Sequence, residues 1–168
     1  MNLILCGMMG AGKTTVGIKI AEKTGRQWLD TDALITQKYG KIADIFAEKG
    51  EKYFRDLETE TLKAFAQTDN LVISVGGGLV LREENVALLK QKGKLVYLQA
   101  DKQTLISRLL QDEERPLLQG EGLDEKIENL LSTRAPIYEK VADYVVQVDE
   151  KTPDEIVGEV LRILSKKS

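Results

Sequence analysis

LILCGMMGAGKTTVG, residues 3–17, runs from four apolar residues through three glycines into a lysine, two threonines and an apolar helical repeat. A short continuous apolar run bounded by glycine reads as a strand buried on both faces. Gly7 to Thr14 fits the pattern G-x-x-x-x-G-K-[ST] in full, between strand and helix, where its mechanism requires it to be. Glycines there let the backbone curl until successive N–H groups face one point, and the helix N-terminus adds positive potential. Lys13 then reaches the β- and γ-phosphates of a nucleoside triphosphate, and the Thr14 hydroxyl is placed for Mg²⁺. The alternative, a glycine-rich turn carrying a solvated lysine, explains neither the complete motif nor its flanks.

Beyond this stretch, short apolar runs alternate with helical patterns. Strands are expected at Asn2–Cys6, Gln27–Leu29, Leu71–Val75, Lys94–Leu98 and Tyr144–Val148. Helices are expected near 13–23, 31–39, 42–67, 82–92, 102–111, 123–141 and 152–166. Thr152-Pro153-Asp154-Glu155 has the form of a helix start, with Thr152 as cap and Pro153 at the first helical position. Such alternation means an α/β domain with a mainly parallel sheet. Residues 116–122 form the one long polar, glycine-bearing interruption in the second half and read as a mobile loop.

A chain of 168 residues without linker, repeat or low-complexity tract is expected to be one domain. Its net charge of -3 supplies no general attraction for nucleic acid or an anionic membrane, so anions must be bound locally. One cysteine, Cys6, excludes an internal disulfide and fits a reducing cytoplasm. No apolar run approaches the roughly 20 residues that span a bilayer. The first apolar stretch ends at Cys6 with no basic region before it, so no secretory signal is expected. The chain has no histidine, which removes the commonest general base and zinc ligand.

Ligands of open α/β sheets collect where strands end at their carboxyl side. After the second strand come Asp30-Thr31-Asp32. Two acids two residues apart share one side of a strand if it extends that far. Equally, Asp30 or Thr31 caps a helix and Asp32 sits in its first turn. Beside a phosphate loop, Asp30 could hold Mg²⁺ through water, and Asp32 could orient or deprotonate an attacking hydroxyl. After the third strand come Ser74-Val75-Gly76-Gly77-Gly78. Three glycines cost backbone entropy and make sense where a ligand approaches the main chain, though a tight turn would also use them. Arg55, Arg115 and Arg134 each suit a carboxylate or phosphate clamp, or else a solvated surface; Arg55, between Glu51 and Glu58, also fits a surface ion-pair ladder.

The phosphate loop with its second threonine, Asp30-Thr31-Asp32, the stretch 50–55 ending in Arg55, the glycine triplet, Arg115-Pro116-Leu117-Leu118 and Arg134-Ala135-Pro136-Ile137-Tyr138 together resemble shikimate kinase, in the family's order and across the whole chain. The resemblance implies a nucleoside-monophosphate-kinase-like P-loop fold in three layers. Five parallel strands in order 2-3-1-4-5 lie between helices, with a substrate-binding region near 31–60 and a lid near 111–122. It implies transfer of the ATP γ-phosphoryl group to the 3-hydroxyl of shikimate, with Mg²⁺, by a cytoplasmic monomer in chorismate and aromatic amino acid biosynthesis. Carried over by position, Gly10, Ala11, Gly12, Lys13, Thr14 and Thr15 hold the phosphates, and Thr14 and Asp30 hold the metal. Asp32 binds the shikimate hydroxyls and serves as the candidate base. Arg55 and Arg134 grip the shikimate carboxylate, and Gly76, Gly77 and Gly78 line the pocket, with the last two the amide donors. Phe46 and Phe54 form apolar walls, Arg115 closes on the phosphates, and Arg108 and Pro153 meet the adenine. A different small-molecule kinase of this fold, such as a gluconate kinase, is the alternative. A nucleotide-dependent switch is disfavoured, since the chain lacks both Asn-Lys-x-Asp and Asp-x-x-Gly elements.

Overall fold

The computed structural model describes residues 1–65, 67–111 and 122–166. Its centre is strand β1 (Asn2–Cys6), buried along its whole length. Helix α1 (Lys13–Thr24) leads to β2 (Gln27–Asp30), α2 (Thr31–Tyr39), α3 (Ile42–Lys49) and α4 (Glu51–Phe65). Then come β3 (Leu71–Ser74), a short 3-10 turn (Leu79–Leu81), α5 (Glu83–Lys90) and β4 (Gly93–Gln99). Finally α6 (Lys102–Leu110), α7 (Leu123–Val141), β5 (Tyr144–Gln147) and α8 (Pro153–Ser165) complete the chain. The strands form one parallel sheet in the order β2-β3-β1-β4-β5, as the resemblance implies. β1, β3 and most of β4 are covered on both faces, which is why their sequences are continuous apolar runs rather than alternations.

Register decides where the site lies. Asp30 pairs with Ser74, and Ser74 with Leu5, so three neighbouring strands end at one level. At about 4.8 Å between strands, their tips fall within about 10 Å of one another. The chain therefore leaves the sheet side by side into the phosphate loop, the first turn of α2 and the glycine triplet.

Two elements differ from expectation. The stretch 42–67 is two helices, because Gly50 adopts φ 87° and caps α3 through its amide to the Phe46 carbonyl. The expected helix at 82–92 is shorter, and the 3-10 turn precedes it. α8 starts as read: Thr152 Oγ1 accepts from the Glu155 amide, and the Glu155 carboxylate accepts in return from the Thr152 amide.

The main core is built on the sheet, from Leu3, Ile4, Leu5, Val72, Ile73, Val96 and Leu98 outward to the helices. A separate, smaller cluster joins α2, α3 and α4 through Ile35, Ile45, Phe54 and Leu57. α1 lies close on the sheet because residue 17 is glycine: a Cβ there would stand 2.6 Å from Trp28 Nε1 and 2.7 Å from Ser74 Oγ. Among the described residues no helix is long and apolar enough to cross a membrane. Residues 112–121, with Arg115 and most of the expected lid, lie outside the described residues.

Candidate active site

Gly10 (φ 86°) and Gly12 (φ 99°) take left-handed conformations that carry the loop around to the start of α1. Lys13 leads that helix, and its Nζ donates to the Gly7 carbonyl at 2.7 Å, bent over the loop that would hold a phosphate chain. The loop is fixed from outside by Arg108 of α6, whose Nη1 donates to the carbonyls of Ala11 at 3.0 Å and Gly10 at 3.3 Å. Arg108 also borders a surface depression of about 520 Å³ formed with Thr104, Ser107, Lys151 and Thr152. Pro153 follows that wall as the first residue of α8. The base of α1 is tied to the sheet by a relay: Trp28 Nε1 donates to Ser74 Oγ at 3.0 Å, and Ser74 Oγ donates to the Lys13 carbonyl at 2.8 Å.

Asp30 does two things at once. Its Oδ1 accepts from the Ala33 amide at 3.0 Å and so caps α2, while its Oδ2 accepts from Thr14 Oγ1 at 3.4 Å. One carboxylate thus caps α2 and faces the Thr14 hydroxyl. Asp30 and Asp32 do not share a strand face, because β2 ends at Asp30. Asp32 reaches the site from the first turn of α2 instead.

The glycine triplet makes room for three side chains from three helices. A Cβ on Gly76 would lie 2.6 Å from Asp32 Oδ1, and one on Gly77 2.9 Å from Arg134 Nη1. A Cβ on Gly78 would lie 2.5 Å from Arg55 Nη2. The close approach expected of ligand is therefore already used by protein. The Gly76 amide donates to Thr31 Oγ1 at 3.0 Å, whereas the Gly77 and Gly78 amides meet no acceptor among the described residues.

Arg55 is not on a surface ladder. Its Nη1 donates to Glu58 Oε1 at 2.8 Å, with Arg55 13% and Glu58 1% exposed; Glu51 stands farther off at 3.6 Å. Burial pushes the Glu58 carboxyl above its ordinary value, more than Arg55 pulls it down, and Glu58 Oε2 has no hydrogen-bond partner among the described residues. The Arg55 guanidinium also lies 5.3 Å from the Phe54 ring centroid, and Phe54 packs against Phe46 at 4.9 Å. Phe54 is buried and Phe46 exposed.

One cavity of about 310 Å³ joins these parts. Lys13, Thr14, Thr15, Asp30, Asp32, Gly77 and Arg134 all line it. Arg55, Phe46, Phe54, Gly76 and Gly78 are not among the residues that line it; Arg55 lies against Gly78, next in sequence to the lining residue Gly77. A larger hollow of about 740 Å³, between α2 and α4 beside Leu29, contains none of the expected site residues. The sequence reading gave no site role to Ser74 or Tyr138, took Thr31 only as a possible helix cap, and took Glu58 only as an ion-pair partner of Arg55. Tyr138 carries one usable signal, its spacing of four from Arg134, which puts both on one helical face.

The family model for shikimate kinase matches residues 9–165. This chain belongs to the shikimate kinase family. It is 45% identical over 168 residues to the shikimate kinase of Dictyoglomus turgidum, covering 97% of this chain and 96% of that one. It is 41% identical over 162 residues to that of Thermodesulfovibrio yellowstonii, covering 96% and 93%. The solved structure of shikimate kinase from Acinetobacter baumannii in complex with shikimate superposes with a TM-score of 0.90 at 40% identity, over 99% of this chain and 94% of that chain. The shikimate kinase fold accounts for the sheet order, and family membership makes the chain an ATP-dependent kinase. The gluconate kinase alternative is not favoured by these relationships.

Proposed function

We propose that the chain transfers the γ-phosphoryl group of ATP to the 3-hydroxyl of shikimate, giving shikimate 3-phosphate and ADP, as a cytoplasmic monomer. The observation that carries this reading is a single cavity lined by Lys13 together with Asp32 and Arg134.

Phosphoryl transfer needs alignment and charge neutralisation more than covalent help. Lys13 swings from the Gly7 carbonyl onto the β- and γ-phosphates, while the backbone of Gly10, Ala11 and Gly12, with Thr15, cradles the chain. Thr14 and Asp30 offer hard oxygens 3.4 Å apart, a set that fits Mg²⁺ completed by phosphate and water. When bound, that ion offsets charge on the phosphoryl oxygens. Arg134 and Arg55 take the shikimate carboxylate, and the Gly77 and Gly78 amides add donors. Glu58 holds one edge of Arg55, so the guanidinium cannot rotate away from the acceptor. Asp32 accepts the hydrogen bond of the reacting hydroxyl and turns its oxygen toward phosphorus. Phe46 and Phe54 give the acceptor pocket its apolar backing. The family resemblance assigns Arg115 to the phosphates and Arg108 and Pro153 to the adenine.

A coupled assay of ADP release tests the whole reading. Release should depend on shikimate and should not be restored by gluconate. Release that gluconate supports and shikimate does not would overturn it.

A further inference from the structure

We propose that the Tyr138 hydroxyl is a positioning group for shikimate: it selects one of two conformations of the glycine turn that presents the Gly78 amide. The proposal rests on the substrate reading above. Gly76 to Leu79 form a tight turn closed by the Leu79 amide on the Gly76 carbonyl at 3.1 Å. Gly78, at φ -98° and ψ -1°, has the dihedrals of the third residue of a type I turn. The type II alternative reverses the central peptide and needs glycine at that third position, which this sequence supplies. With glycine at both central positions the backbone imposes almost no preference of its own.

The preference comes from outside the turn. Tyr138 Oη donates to the Gly77 carbonyl at 2.5 Å, the oxygen of the peptide that would flip. In a trans peptide the carbonyl and the following N–H point in opposite directions. Holding the Gly77 carbonyl on Tyr138 therefore sends the Gly78 N–H the other way. In the reversed form a carbonyl dipole would replace that amide, and an anionic acceptor would be repelled.

Tyr138 is built for this. It is fully buried, with its ring against Tyr97 at 5.0 Å between centroids, so the hydroxyl has a fixed origin. Burial raises its ionisation well above the ordinary range despite the nearby Arg134, which keeps it a donor. It lies one helical turn after Arg134, and both crowd the same side of Gly77: a Cβ there would meet Arg134 Nη1 at 2.9 Å and Tyr138 Oη at 3.5 Å. One helix face thus orders both the guanidinium and the turn.

The test is Tyr138→Phe, with Tyr97→Phe as the packing control, in steady-state kinetics with each substrate varied. Tyr138→Phe should raise KM for shikimate about tenfold, leave KM for ATP within twofold and lower kcat less than it raises the shikimate KM. Tyr97→Phe should change neither KM. An unchanged shikimate KM in Tyr138→Phe, or equal rises for both substrates, overturns the proposal while leaving wild-type turnover of shikimate intact. If the variant does not fold, the native chain still decides: the Gly78 amide resonance should move on shikimate titration, and a resonance that stays still counts against the inference.

Discussion

Gly76→Ala adds one methyl group opposite Asp32 and nothing else. The Gly76 backbone lies outside the left-handed region, so alanine is tolerated by the main chain. The new Cβ would stand 2.6 Å from Asp32 Oδ1, where ordinary contact begins near 3.4 Å. The carboxylate must therefore retreat by about 0.8 Å, which it does by rotating. Misplacing a reacting group by about 1 Å costs on the order of a hundredfold in rate, or about 2.7 kcal/mol of barrier. In the ADP-release assay kcat/KM should fall about a hundredfold, while the melting temperature stays within a few degrees of wild type. Gly77→Ala is the internal comparison. It crowds the far end of the long Arg134 side chain at 2.9 Å, so it should raise KM for shikimate more than it lowers kcat. A folded Gly76→Ala enzyme with activity within threefold of wild type would refute the placement of Asp32 at the reacting hydroxyl.

Lys13→Ala should abolish turnover and leave the fold intact, as circular dichroism would record, since the lysine stands at the first turn of α1 and its Nζ donates to the Gly7 carbonyl of its own loop rather than into the core; retained kcat would remove it from the mechanism. Arg134→Lys should mainly raise KM for shikimate, because an ammonium cannot make the planar two-point contact with a carboxylate; equal affinity for shikimate in both proteins would contradict that. Glu58→Gln should alter the pH dependence of stability. The folded chain holds the Glu58 proton more tightly than the unfolded chain, whose ordinary value is 4.5. The stabilising contribution of Glu58 is thus complete below that pH and lost as pH rises through the raised value. Glutamine has no such loss, so the melting temperature of Glu58→Gln relative to wild type should climb as pH increases from 4.5. A constant gap would show that Glu58 titrates normally.

Continuous apolar runs, followed by glycine after β1 and β3 and preceded by it in β4, made these strands legible, and a complete motif made the phosphate loop so. Local signals failed where tertiary contact decides. Apolar residues at helical spacing run on both sides of Gly50, and its positive φ breaks the chain between α3 and α4. Glu58 reads as a surface partner of Arg55 because spacing reports neighbours on a helix and not what covers them. Thr31 and Tyr138 act on glycines 45 and 61 positions away, a separation no local pattern spans. Arg108 was expected on the adenine, and its strongest visible contacts are with the carbonyls of the phosphate loop. Asp30 was read as either a cap or a ligand, and two oxygens allow both.

The small cluster of Ile35, Ile45, Phe54 and Leu57 has a consequence for how the enzyme fails. It supports the helices that bring Asp32 and Arg55, whereas the phosphate loop is anchored to the sheet core. Cooperative units with fewer buried contacts open at lower free energy than the whole molecule. Mild heat or denaturant should therefore blind the protein to its acceptor while it still grips nucleotide, leaving an intermediate that binds ATP and performs no transfer.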